Sequence, residues 1–77
     1  MKGYNGWKNR ATWNVAMWIN NDYQWYECAR GFMVDYTGIN PYVDFVDAYG
    51  LISTPDGYLY GDAALDVKAL NQMMKDL

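Results

Sequence analysis

The chain has 77 residues, of which 52% are hydrophobic and 18% are aromatic, and its formal net charge is −3 at pH 7. A length of this order corresponds to one domain, and the many aromatic side chains can fill a small core because each buries about 150–250 Å². Cys28 is the only cysteine, which excludes a disulfide within the chain, and no apolar run reaches the roughly 18 residues of a membrane span, so we expect a single cytoplasmic domain over residues 1–77.

The first predicted element covers residues 9–22, NRATWNVAMWINND, which fit two periodicities. With a period of two, alternate apolar residues from 13 to 19 fall on one side, as in a strand. With a period of 3.6 the same residues form one broad helical face, with Asn14 outward, Trp18 at the edge and Thr12 as the N-cap. We favour the helix because the following residues continue in helical register and a short strand would have no obvious partner.

A second helix is predicted in YQWYECARGFMVDY, with Asp22 placed to cap its N-terminus. Its apolar side chains recur at the spacing of one helical face. They are Trp25, Cys28, Ala29, Phe32 and Tyr36. Gly31 lies in the middle, where glycine costs about 1 kcal/mol relative to alanine, and we expect close packing of another helix to be the reason.

The third helix has the clearest boundaries, in the segment NPYVDFVDAYG. Asn40 is the predicted N-cap, Pro41 occupies the first helical position and Gly50 stops the helix. A stripe of apolar residues is expected to face the core. It consists of Tyr42, Phe45, Val46 and Tyr49.

The remaining segment predicts a turn followed by a fourth helix. Pro55 and Gly57 in STPDGYLYGD are typical turn residues, and residues 51–60 could pair as a minimal β-hairpin. Asp62 then caps the helix AALDVKALNQMMKDL. The predicted fold is an all-α, compact bundle of about four short helices, with a small α+β fold as the alternative.

Catalytic side chains are scarce in this sequence. It contains no histidine, the usual general base near neutral pH and a common metal ligand. Cys28 by itself cannot build a structural zinc site, and the glycines are not grouped as in a phosphate-binding loop. We expect no enzymatic activity, no cofactor and no metal.

A nucleic-acid-binding segment is the alternative to a protein-binding function. Trp7, Lys8 and Arg10 lie together in YNGWKNRATW, and such a mixture can pair with phosphates and stack on bases. With Lys2 just before it the segment offers only three cations, which are few, and a pI near 4.4 repels polyanions. The charge balance therefore argues against nucleic acid as the partner.

The segment WKNRATWNVAMWINND, residues 7–22, resembles the N-terminal signature of a family of small uncharacterised proteins common in bacteriophages and some bacterial genomes. The likeness extends to Tyr-x-Asp-Phe-Val at residues 42–46 and to Thr-Pro-Asp-Gly at residues 54–57, followed by Asp62. Met17 stands where leucine is commoner in that signature. The resemblance implies a phage setting and a helical fold, and it assigns no functional residues.

Our functional prediction is a small phage-encoded accessory protein that binds a host or phage protein without catalysis. Modulation of host metabolism or defence is the kind of process it would serve. Tyrosine and tryptophan are favoured interface anchors, and several of them lie near predicted element ends or turns. The candidates are Tyr23, Tyr26, Tyr58, Tyr60 and Trp18. A homodimer and an aromatic pocket for a small ligand are also compatible with the sequence.

Overall fold

Four helices form most of the backbone in this computed structural model, which describes residues 6–77. Within the described residues, α2 and α4 each pack against the other three helices, whereas α1 and α3 are not in contact. The all-α bundle predicted from the sequence is confirmed. The helices are α1 (Arg10–Asn21), α2 (Tyr23–Val34), α3 (Pro41–Tyr49) and α4 (Val67–Lys75).

The segment with two possible periodicities is helix α1, and its N-cap is Asn9. The Asn9 side chain accepts hydrogen bonds from the Thr12 backbone N–H at 2.9 Å and the Thr12 hydroxyl at 2.7 Å. The prediction of Thr12 as the cap is therefore wrong. Thr12 is instead buried, and its hydroxyl accepts the Asp66 N–H at 3.0 Å. This bond links the beginnings of α1 and α4.

Asp22 separates α1 from α2, as predicted. Its own N–H donates to the Trp18 carbonyl at 3.3 Å, closing the last turn of α1. Its carboxylate accepts the N–H groups of Gln24 and Trp25, which lie in the first turn of α2. One residue thus satisfies backbone groups of both helices, because N-terminal N–H groups have no partner within their own helix.

Helix α3 begins and ends where the sequence predicts. Pro41 is in its first turn, and Gly50 adopts a left-handed backbone with φ of 62°. The N–H of Leu51 donates to the Val46 carbonyl at 3.0 Å, the pattern of a Schellman motif. The predicted buried stripe is wrong at its last member, because 43% of the Tyr49 surface is exposed.

The segment between α3 and α4 contains the minimal hairpin. Ser53 and Leu59 form an isolated antiparallel bridge, and the Thr54 N–H donates to the Tyr58 carbonyl at 2.8 Å. Gly57 has φ of 90°, which an L side chain rarely adopts. Residues 51–60 contribute only this single bridge, which is too little β structure for an α+β fold. The α+β alternative is therefore wrong.

Helix α4 begins later than predicted, and its cap is Asp66 rather than Asp62. The Asp66 carboxylate accepts the Ala69 N–H at 3.2 Å, while Asp62 accepts the Ala64 N–H at 2.7 Å in a separate turn. The Ala64 carbonyl accepts the Asn9 side-chain amide at 2.8 Å. Bonds to α1 therefore hold the predicted first helical turn in a non-helical conformation.

The core is continuous across the four helices, and Phe45 is its aromatic centre. Its ring centroid lies 4.9 Å from that of Tyr49, 5.6 Å from Phe32 and 6.3 Å from Trp25. Such tilted and edge-to-face pairs add to the burial of apolar area. Among the described residues, the buried hydrophobic core consists of Val15, Ala16, Ile19, Ala29, Tyr42, Phe45, Tyr60, Leu65, Leu70, Met73 and Met74.

Gly31 is not the site of close helix packing that the sequence suggested. It is exposed in α2, and a Cβ built on it would meet no atom within 4 Å. We therefore expect Gly31→Ala to raise the free energy of unfolding by about 0.5–1 kcal/mol, because alanine loses less backbone entropy in a helix. Urea denaturation of both proteins measures this change. A lower midpoint for Gly31→Ala would contradict it.

Candidate functional site

Helix α2 is the least covered of the helices and forms the candidate functional surface. Among its twelve residues, Ala29 alone is buried. Tyr23 at its first position is 75% exposed, and Val34 at its last position is 77% exposed. Tyr23 and Val34 lie at opposite ends of the helix, and each of them borders a separate surface depression. The α2 surface has two parts, an aromatic end and a groove toward α4.

The aromatic end of α2 comprises Tyr23, Trp25, Cys28 and the neighbouring Tyr49. The rings of Trp25 and Tyr49 meet edge to face, with centroids 5.9 Å apart and planes at 86°. Partial burial raises the pKa of the Tyr49 hydroxyl, and the adjacent Cys28 side chain raises it further. A shallow depression of about 400 Å³ lies here. Its lining residues are Tyr23, Gln24, Trp25, Glu27 and Cys28.

The α2–α4 groove lies between the second half of α2 and the end of α4, with a volume of about 610 Å³. It combines apolar and charged side chains around Gly31. The lining residues are Glu27, Arg30, Gly31, Met33, Val34, Met74, Lys75 and Leu77. The Arg30 guanidinium also lies 5.9 Å from the centre of the Tyr26 ring. Glu27 lines both parts of the α2 surface.

A polar cluster, formed by Asn14, Trp18, Thr54 and Asp56, joins α1 to the hairpin. The Asn14 amide donates to the Asp56 carboxylate at 2.8 Å and its carbonyl oxygen accepts the Thr54 hydroxyl at 2.7 Å. The Trp18 indole N–H donates to the same carboxylate oxygen at 3.0 Å. These hydrogen bonds, and secondarily the charge of Arg10, lower the pKa of Asp56.

This polar cluster was not predicted from the sequence. The expectation that Asn14 faces outward is wrong, since the side chain is 2% exposed. One sequence signal could have indicated the cluster: an asparagine lies within a helix that is otherwise rich in tryptophan and aliphatic residues. A buried asparagine needs hydrogen-bond partners, and the distant Thr-Pro-Asp-Gly turn offers polar side chains that can supply them. Trp18, a predicted partner contact, uses its indole N–H within this cluster.

The other predicted tyrosine contacts lie in three different environments. Tyr26 is half-buried and lines a cleft of about 600 Å³ together with Trp7. Tyr58 is half-buried against the core. Tyr60 is buried, and its carbonyl accepts the Tyr42 hydroxyl at 2.7 Å. Tyr23 lies at the aromatic end of α2. The other four predicted contacts, Tyr26, Tyr58, Tyr60 and Trp18, lie outside it.

The segment of the nucleic-acid alternative surrounds the beginning of α1. Trp7 is half-buried and packs against the core, while Lys8 and Arg10 are exposed. The charge of Arg10 acts on Asp56 of the hairpin. Trp7 lines the cleft that Tyr26 also lines, and neither Lys8 nor Arg10 is among the residues that line it.

The described part of the chain contains neither a metal-binding cluster nor a membrane-spanning helix. Over residues 6–77, no three side chains among His, Cys, Asp and Glu come together in a way that could hold a metal ion. None of the helices in that range has both the length and the apolar character needed to cross a membrane.

Comparison with known proteins identifies a family for this chain. No curated protein and no solved structure matches the sequence. A family model described as a family of unknown function, DUF7249, matches residues 1–77. The match covers the α2 surface and the polar cluster together with every other described residue. The chain therefore belongs to the DUF7249 family.

Proposed function

We propose that this chain is a small accessory protein that acts without catalysis, by binding a host or phage protein through the aromatic end of α2. The phage setting is part of the proposal, and the resemblance carried by residues 7–22 supports it. The observation that carries the proposal is the exposure of α2, which begins with a 75% exposed Tyr23 near the edge-to-face rings of Trp25 and Tyr49.

The geometry of the aromatic end suits an interface hot spot. Trp25 and Tyr49 both pack on the buried Phe45 ring, so their positions are set before a partner arrives. Binding then orders few side chains, and each rotamer that needs no immobilisation saves about 0.5–1.5 kcal/mol. Tyrosine and tryptophan are also the residues that most often dominate interface energies.

The proposal predicts that Tyr23→Ala weakens partner binding at least tenfold, about 1.4 kcal/mol. The immobilised protein is exposed to bacterial lysates prepared with and without phage infection, and a captured protein is identified by mass spectrometry. Its affinity for the wild type and the variant is then measured by calorimetry with purified components. Because Tyr23 is exposed, the substitution should change the free energy of unfolding by no more than about 0.5 kcal/mol.

Ile39→Ala is the matched control, since Ile39 is a large exposed hydrophobic residue in the loop between α2 and α3. It should leave the affinity unchanged. Equal affinity of Tyr23→Ala and the wild type would remove the aromatic end from the interface. Failure to capture any protein from either lysate would refute the binding function itself.

A further inference from the structure

A cavity of about 230 Å³ lies between α3 and the segment that leads into α4, outside the α2 surface. Its floor belongs to the core, because Tyr42, Tyr60 and Leu65 are buried. A guest would therefore contact the residues around the mouth, which keep accessible surface. This α3 cavity is lined by Tyr42, Val43, Val46, Asp47, Tyr60, Gly61, Asp62, Leu65 and Val67.

Three valines form the accessible apolar wall of the α3 cavity. Val43 and Val46 come from α3, and Val67 is the first residue of α4. Val43 is exposed and the other two are half-buried, so all three keep surface that a guest can cover. These side chains offer no hydrogen bond, and burial of apolar area on them favours a hydrocarbon chain.

The mouth of the α3 cavity is acidic. Asp47 is exposed and Asp62 is half-buried, and no lysine or arginine is among the described lining residues. The partial positive charge at the start of α4 is offset by Asp66, whose carboxylate accepts the Ala69 N–H. The charged residues next to the lining residues in sequence are two further carboxylates and one cation, Asp44, Asp66 and Lys68. The local charge therefore favours a cationic guest.

The half of the chain that contains the α3 cavity is acidic as a whole. Residues 35–77 carry seven aspartates and two lysines, whereas residues 1–34 carry four cations and two acidic side chains. Complementary charge speeds the encounter of two proteins and disfavours partners of like charge. This half of the chain is therefore suited to a basic surface of a partner.

The size of the α3 cavity favours a single side chain over a metabolite. Pockets for small-molecule ligands hold about 300–1,000 Å³, and the volume of this cavity is about 230 Å³. A lysine side chain has a hydrocarbon stem and a charged end, and it can bury the stem on apolar surface while the ammonium group stays in water. An apolar wall below an acidic mouth matches both parts of that side chain.

We propose that the α3 cavity receives a lysine side chain of the partner protein. The stem lies against the three valines of the wall, and the ammonium group lies beside Asp47 and Asp62. This inference rests on the proposed protein-binding function and specifies the chemistry of the partner, which presents a basic segment. Because α3 also carries Tyr49 of the aromatic end, both contacts involve one helix of nine residues.

The main probes are two blocked peptides, acetyl-Gly-Lys-Gly-amide and the same peptide with norleucine, which keeps the stem without the charge. Both are titrated into the full ¹⁵N-labelled chain at low salt and followed by NMR. The lysine peptide should bind about fivefold more tightly, the effect of one or two exposed ion pairs. It should shift the amide signals of residues 42–47 and 60–67, and this advantage should shrink as salt is added.

Charge variants test the mouth of the cavity. Asp47→Asn and Asp62→Asn should each weaken the lysine peptide about threefold and leave the norleucine peptide unchanged. Asparagine keeps the side-chain oxygen with which Asp62 accepts the Ala64 N–H, so the turn is preserved. Asp35→Asn is the matched control, because it removes the same charge at an exposed position outside the cavity.

Gly61→Leu tests the volume of the cavity. A Cβ on Gly61 would meet no atom within 4 Å, so the larger side chain can occupy the mouth without an internal clash. It should weaken the lysine peptide about tenfold without lowering the denaturation midpoint. Ala63→Leu is the control, since it adds apolar bulk at a nearby exposed position that does not line the cavity.

Several outcomes would overturn the cavity proposal. These are equal affinity of the lysine and norleucine peptides, no binding of either, or unchanged affinity in Gly61→Leu. n-Butylammonium chloride is the probe for a free amine, and if it binds about tenfold more tightly than the lysine peptide, the cavity serves a small molecule instead. A lysate partner that is lost in Tyr23→Ala but retained fully in Gly61→Leu would uphold protein binding and remove the cavity from it.

Discussion

Replacing Asn14 with aspartate should destabilise the protein at neutral pH and reverse the response of its stability to acid. The wild-type amide donates to Asp56 at 2.8 Å and accepts from Thr54 at 2.7 Å, in a position that is 2% exposed. The aspartate side chain has nearly the same shape but no donor, so two carboxylates would face each other in the variant. We expect a loss of about 3 kcal/mol in the free energy of unfolding at pH 7, the scale of an unpaired buried charge.

The pH dependence gives the sharper test. In the wild type, hydrogen bonds from Asn14 and Trp18 lower the pKa of Asp56, so its contribution is present above the unfolded pKa and is lost as the pH falls through the folded pKa. In Asn14→Asp the facing carboxylates share one proton, which raises one folded pKa above the unfolded value of about 3.9. That variant should gain stability as the pH falls from about 7 to about 5.

Urea denaturation of both proteins across this pH range measures the difference. Asn21→Asp is the control, because it adds the same charge at an exposed position of α1, and it should change the free energy of unfolding by less than about 0.5 kcal/mol. Parallel pH profiles for the wild type and Asn14→Asp would mean that Asn14 and Asp56 are not in contact in solution.

Phe45→Ala should cause the largest loss of stability in the chain. The ring is fully buried and contacts Trp25, Phe32 and Tyr49. Removal of a buried phenylalanine side chain typically costs about 3–5 kcal/mol, whereas a domain of this size has a total stability of only about 5–15 kcal/mol. We expect the melting temperature to fall by more than about 12 °C.

Val43→Ala is the matched control, since Val43 lies on the same helix and is exposed. It should cost less than about 1 kcal/mol. Calorimetry and near-ultraviolet circular dichroism report the two effects, because the aromatic contacts of Trp25 give tertiary signals. The usual minimum loss of unfolding free energy for such a deletion is about 3 kcal/mol. A loss below about 1.5 kcal/mol, half of that, would contradict the position of Phe45 at the aromatic centre of the core.

Local signals in the sequence were sufficient for the helix ends that depend on neighbouring residues. Asp22 caps α2 through N–H groups two and three residues away, and Gly50 ends α3 through a backbone conformation of its own. Periodicity also predicted the buried Tyr42 and Phe45. In the candidate site, Tyr23 was predicted from its position at a helix beginning.

Long-range hydrogen bonds decided what the sequence did not reveal. Asn9 caps α1 through a local bond to Thr12, but the Thr12 hydroxyl is held in the interior by a bond from Asp66, 54 residues away. Asn14 is buried because its partners come from the hairpin, 40 and 42 residues away. No local pattern can encode a partner that becomes adjacent only in the folded chain.

The α2–α4 groove illustrates the same division. The sequence by itself determined that α2 is an amphipathic helix of moderate apolar content, with a glycine that weakens it. Only the tertiary structure placed Met74 and Lys75 opposite Gly31 and left that glycine uncovered. The physical reason is that intrinsic helix preference and capping act over a few residues, whereas burial depends on which distant surfaces meet.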